Sequence, residues 1–289
     1  ISSNYGNTWT AKDSNRNWWS VSVSSTGQYQ TAVASSGQIY ISSDYGNTWT
    51  AKDSNRIWAG ISIPNSAPAT SISASGTGSI TTSMAHIFNT FDLGSKVLEL
   101  TSSFEPLKIS GGTLTASSST VKYSGTSSMS ILPLSYYNLE LSPSSGTQTY
   151  TLGTTTGQTI TVNNNLTLGG AGNVTVDSGT YQPTITINGN LTIGSGDTFT
   201  GSLSPALSLK GNFVNNGTFN ANGGTVIFTT TTSSLVDSTN NMTFNNISAT
   251  VPGATLKFKS RSGNTPTFTI GGTMTVTGTQ STPVYIESD

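Results

Sequence analysis

Residues 159–168 read Thr-Ile-Thr-Val-Asn-Asn-Asn-Leu-Thr-Leu, and the segment returns as TITINGNLTI at 184–193, more loosely as ALSLKGNFVN at 206–215, and as TFTIGGTMTV at 267–276. In the clear copies apolar residues alternate with Thr, an Asn/Gly corner follows, and the alternation resumes. Alternation at period two gives a strand with one buried face and one wet face. Two such strands about a corner, repeated along the chain, predict one turn of a stacked all-β structure. The pattern points to a scaffold before it points to an enzyme.

The composition supports that reading. Only 8% of the 289 residues are charged and the net charge is −1, so no basic surplus exists to neutralise phosphates, and nucleic acid is not an expected partner. Chains of low hydrophobicity that stay disordered are usually highly charged or Pro-rich, and this one is neither. Ser, Thr, Asn and 31 Gly take the place of charge. Thr favours strands, while Gly and Asn turn corners. With 0 Cys, disulfides and thiolate metal sites are ruled out. No apolar run is long enough for a membrane span. Cysteine avoidance and a Thr/Asn/Gly-rich surface fit an extracellular or cell-surface location.

Working outward to the start of the chain, residues 1–16 (ISSNYGNTWTAKDSNR) recur at 41–56, changed only where Asn4 becomes Asp44. Past the identity, Trp18, Val21 and Val23 correspond to Trp58, Ile61 and Ile63. Strand-like runs at 18–24, 29–34, 38–42 and 48–52 make the content of one propeller blade. Residues 42–49, Ser-Ser-Asp-Tyr-Gly-Asn-Thr-Trp, resemble the Asp-box (BNR) motif Ser-x-Asp-x-Gly-x-Thr-Trp. In the first copy Asn4 stands at the Asp position, with Gly6 and Trp9 behind it. The resemblance implies a hairpin between the third and fourth strands of a blade, in which Asp44 accepts turn amides, Gly46 takes positive φ and Trp49 packs beneath. Families carrying the motif include sialidases and non-enzymatic secreted propellers, so it indicates a fold and not a reaction. The region holds about one and a half blades, too few to close a propeller. Either it ends a longer array, or neighbouring molecules complete it by strand addition.

Residues 65–83 are small, polar and Pro/Gly-punctuated and read as a linker. Beyond them a second domain, 84–289, shows a longer repeat, with units expected at about 107–216 and 217–289. Gly112 corresponds to Gly217, Thr120 to Thr225, Tyr136 to Phe244 and Thr159 to Thr267. This Gly-Thr-Phe-Asn, Thr-Val-x-Phe, Phe-Asn-Asn-Ile pattern resembles repeats of large bacterial surface and adhesin-like proteins, which implies a β-solenoid or an elongated β-sandwich stalk.

Chemistry is sparse. The single His86 offers no triad or metal spacing, and no Asp-rich calcium loop is present. Glu99, Glu105 and Glu140 show no paired-carboxylate motif for glycoside hydrolysis. Arg16, Arg56 and Arg261 are too few for the arginine cluster of a sialidase. Asp13 and Asp53 are repeat equivalents, expected to pair with Arg16 and Arg56. Catalytic residues, cofactors and metals are therefore not expected. Trp9, Trp49, Trp18 and Trp58 recur with the repeat and are expected in a blade core, whereas Trp19 corresponds to Ala59 and is the candidate interface or glycan contact. Asn165, Asn173, Asn190, Asn216, Asn241 and Asn246 head Asn-x-Ser/Thr triplets and are candidate glycosylation sites. The sequence thus predicts an all-β chain, 1–64 a blade-like antiparallel sheet and 84–289 an elongated repeat domain. Its expected function is that of an extracellular structural or adhesive subunit that self-associates into a fibre, with carbohydrate the alternative partner and a sialidase-like hydrolase a weaker third.

Overall fold

The computed structural model describes residues 1–2, 7–24, 27–58, 60–61, 71–73, 78–87, 90–102, 105–259 and 265–288. They contain no helix, and the chain divides into Ile1–Thr70 and Ser71–Asp289.

In the first unit β1 (Trp18–Val23), β2 (Gln30–Ala34), β3 (Gly37–Ser42) and β4 (Thr50–Arg56) form one antiparallel sheet in that order. These are the strands the alternation marked. Val33 is wholly buried, with Ala32, Ala34 and Tyr40 beside it. The expectation of a Trp core is not met for Trp9 or Trp18, which are 74% and 40% exposed. The reason is geometric: one four-stranded sheet has no second layer to cover large side chains on its faces. Trp18 instead meets Tyr40 edge-on at 5.1 Å, and the Arg16 guanidinium lies 4.4 Å from the same ring.

The second unit is a β-solenoid, and every strand pair in it is parallel. A ten-stranded sheet runs from Ser79–Thr82 to Tyr285–Ser288, a seven-stranded sheet from Ser135–Tyr136 to Met274–Val276, and a five-stranded sheet from Met129–Ile131 to Thr218–Asn220. Each turn contributes one strand to each face. The opening segment therefore supplies two of the three strands of a turn, not the whole: Thr159–Val162 in the seven-stranded sheet and Leu166–Leu168 in the ten-stranded one. Asn173–Asp177 adds the third. Strand pairing also carries the solenoid back to Ser71–Ser73 and Ser79–Thr82, within the stretch read as a linker.

Register explains the recurrence. Thr159, Ile160, Thr161 and Val162 stand beside Thr184, Ile185, Thr186 and Ile187, and Leu166 and Leu168 beside Leu191 and Ile193. Like sits on like, Thr outward and aliphatic inward. The copy at 267–276 lies one face earlier in the winding: Phe268–Ile270 pairs with Met242–Phe244, and Met274–Val276 joins the seven-stranded sheet. The longer correspondence behaves the same way, since Thr120–Tyr123 belongs to the ten-stranded sheet and Thr225–Phe228 to the seven-stranded one. A strand–corner–strand unit fits any two neighbouring faces, because all three present the same inward and outward alternation.

The core is the inward column of each sheet. Leu139, Leu166, Leu191 and Phe213 are stacked in register, each at most 1% exposed. Phe213 continues into an aromatic group with Phe219 and Phe244 at ring separations of 5.0 and 5.8 Å.

Candidate functional site

In the hairpin at 42–49, Asp44 Oδ1 accepts the Thr48 N–H at 2.9 Å, and its Oδ2 accepts the Thr48 hydroxyl at 2.6 Å. Ser42 donates to Asp44 Oδ1 at 2.8 Å and accepts the Gly46 N–H at 2.9 Å. These donors hold the Asp44 carboxyl down at about 2, with the Thr48 hydroxyl the largest cause. Gly46 has φ +79°, and the half-buried Trp49 donates its indole N–H to the Gly46 carbonyl at 3.1 Å. Asp44 is thus spent on closing a turn. Asn4 and Gly6 of the first copy lie outside the described residues, as does Arg261. Asp13 and Asp53 do one job twice: both have positive φ, 59° and 60°, and pair with Arg16 and Arg56 at 3.2 and 3.4 Å.

Trp9, Trp18, Trp19 and Trp49 line a single groove of about 870 Å³ on this sheet. Trp19 is 65% exposed. The groove sets an aromatic wall beside Lys12 and Asp13.

Glu99 and Glu140 are held apart by a lysine. Glu99, Lys122 and Glu140 stand side by side on the outside of the ten-stranded sheet, with Lys122 Nζ 3.7 and 3.5 Å from the two carboxylates. The exposed His86 shares a hydrogen bond with Ser110 Oγ at 2.9 Å. Among the described residues no group of three or more His, Cys, Asp or Glu is placed to hold a metal ion.

An asparagine ladder joins the coils at their corners. Asn138 Oδ1 accepts the N–H of Asn165, Asn165 Oδ1 that of Asn190, Asn190 Oδ1 that of Asn212, and Asn212 Oδ1 that of Leu235, at 3.3, 2.9, 2.8 and 2.9 Å. These partners are 27, 25, 22 and 23 residues apart, one coil each. Asn241 and Asn246 do the same for Thr267 and Thr273 at 2.9 and 2.7 Å. A corner leaves a backbone N–H outside the strand ladders, and a buried unmet donor is costly. An Asn one coil below satisfies it. The signal is visible in the sequence: each of these Asn directly precedes an inward apolar residue, as in Asn138-Leu139, Asn165-Leu166, Asn190-Leu191, Asn212-Phe213, Asn241-Met242 and Asn246-Ile247.

Four candidate glycosylation residues, Asn165, Asn190, Asn241 and Asn246, are therefore members of coil-to-coil bonds. Asn173 is exposed on the five-stranded sheet, and Asn216 is half-buried after Phe213–Asn215. No family description, no curated protein and no solved structure matches this chain.

Proposed function

We propose that this chain is an extracellular structural or adhesive protein, a repeating subunit of a surface fibre or filament that assembles through unpaired β edges. One observation carries the reading: a continuous ten-stranded parallel sheet whose corner asparagines bond one coil to the next. Ten strands stacked at about 4.8 Å extend on the order of 45 Å, a length element with few titratable groups. Tyr285–Ser288 extends the same sheet by pairing in parallel with Thr255–Phe258. The Asp-box resemblance and the adhesin-like resemblance agree with a secreted or surface location. Sedimentation and negative-stain microscopy of native material are the test, with extended assemblies the expected result. Monodisperse particles with the mass of one 29.9 kDa chain would sink the fibre reading.

A second reading, a glycan-binding attachment module of phage-fibre or adhesin type, is favoured by the four-Trp groove. Aromatic faces stack on the C–H faces of sugars, and Trp19 is the contact to remove. Glycan-array binding that survives Trp19→Ala unchanged would count against that site. A sialidase-like activity is the weakest reading, tested with a fluorogenic sialoside.

A further inference from the structure

The three faces of the solenoid do not stay joined along its whole length. The ten-stranded sheet runs unbroken through Val97–Leu100, Thr120–Tyr123 and Asn138–Leu141. On the next face, Leu107–Ile109 pairs with Ala85–Ile87, and Met129–Ile131 with Thr147–Leu152, but among the described residues no ladder joins Leu107–Ile109 to Met129–Ile131. Neighbouring coils are thus bonded on one face and parted on another.

The parted walls carry unspent backbone groups. Ala85 N–H donates to the Pro106 carbonyl and Ser110 N–H to the Ile87 carbonyl. Successive strand residues turn their backbone groups to opposite neighbours, so Leu107 and Ile109 present theirs to the parting. Across it, Gly153 N–H donates to the Ile131 carbonyl, which leaves Ser130 facing the same space. A groove of about 470 Å³ fills this space, a size typical of ligand pockets.

Tyr123, only 1% exposed, also lines the groove, its hydroxyl buried beside that of Tyr136. Tyr136 donates to the Leu132 carbonyl at 2.9 Å. Ser130 and Thr154 add hydroxyls to the wall, and Tyr181 an aromatic ring. Glu105 and Lys108 contribute one charge of each sign.

We propose that this groove is a carbohydrate subsite that takes one or two rings of a neutral oligosaccharide. Sugar hydroxyls both donate and accept, as the mixed amides, carbonyls and hydroxyls of the walls require. The balanced charge favours a neutral ligand over an anion. An extended peptide fits less well, because each wall is only three residues long. A second groove of about 530 Å³ shares Ile109 and Leu132 and continues past Ser135 and Thr161, giving a longer chain a path around the corner. The site is separate from the Trp groove of the first unit.

The test is titration calorimetry of the full chain with maltotetraose, cellotetraose and chitotetraose, beside a sialylated trisaccharide and a capped tetrapeptide. At least one neutral tetrasaccharide should bind. Ser130→Phe, which fills the groove, should weaken it by roughly tenfold or more. Tyr181→Ala removes the aromatic wall and should weaken binding several-fold while the fold is kept. Trp19→Ala should change nothing. Where Ser130→Phe fails to fold, Tyr181→Ala carries the test. The proposal is overturned if no neutral tetrasaccharide binds, if only the sialoside or the peptide does, if the groove variants bind like the parent, or if Trp19→Ala abolishes binding.

Discussion

At the scale of single residues, the asparagines decide how the coils hold together. Asn190 links three coils, since its N–H donates to Asn165 and its Oδ1 accepts from Asn212. Asn190→Ala should cost about 1–3 kcal/mol by urea denaturation, the cost of an unmet buried amide. Asn190→Asp keeps the acceptor and should recover most of it. Equal losses in the two variants would exclude the acceptor role. Two carboxyls set opposite pH slopes. Asp44 is held at about 2 against an ordinary 3.8, so its contribution is present above 3.8 and is lost as pH falls toward 2. Asp197 is 2% exposed, with Oδ1 accepting the Val174 N–H and Oδ2 unpartnered, and burial raises its pKa. Its folded form binds the proton more tightly, so its contribution is present below 3.8 and is lost as pH rises through the raised folded value. In Asp197→Asn that second slope should vanish. Thermal melts across this range check it, and a stability difference from the parent that stays constant with pH would contradict it.

At the scale of elements, the solenoid was legible in the alternation and its periodic return, while the number of strands per turn was not. Thr159–Val162 and Leu166–Leu168 look alike in sequence, yet they belong to different sheets. Period two reports burial on one side and is silent on which neighbour a strand will find. Trp9 and Trp18 lie exposed for a related reason: recurrence implied a shared environment, but a core needs a second layer, and the described strands of the first unit form a single sheet. The corners set the tightest local demand. A Cβ on Gly211 would stand 2.4 Å from the Gly189 carbonyl oxygen of the coil below, a backbone atom with little room to yield. Gly211→Ala should therefore pry the corner open and lengthen the Asn190–Asn212 bond beside it. We expect a loss of about 1–3 kcal/mol, the usual range for overpacking, and faster hydrogen exchange at the Asn212 amide. Unchanged exchange there would show that the corner relaxes freely.

At the scale of the whole molecule, the two units keep separate apolar cores, one around Val33 and the other running from Ile87 to Leu256. The sequence provides a way to watch them apart. All 5 Trp fall within Ile1–Thr70, so tryptophan fluorescence reports that unit, while circular dichroism is dominated by the more numerous strands of Ser71–Asp289. Stacked coils share stability through neighbour contacts, so damage to one inward column should lower the whole solenoid. Leu191 is fully buried between Leu166 and Phe213. Leu191→Ala should cost about 2–5 kcal/mol through lost transfer energy and a cavity. We expect the dichroism midpoint to fall while the fluorescence midpoint stays in place. A parallel fall of both would mean that the sheet carrying the tryptophans and the stacked coils unfold as one body.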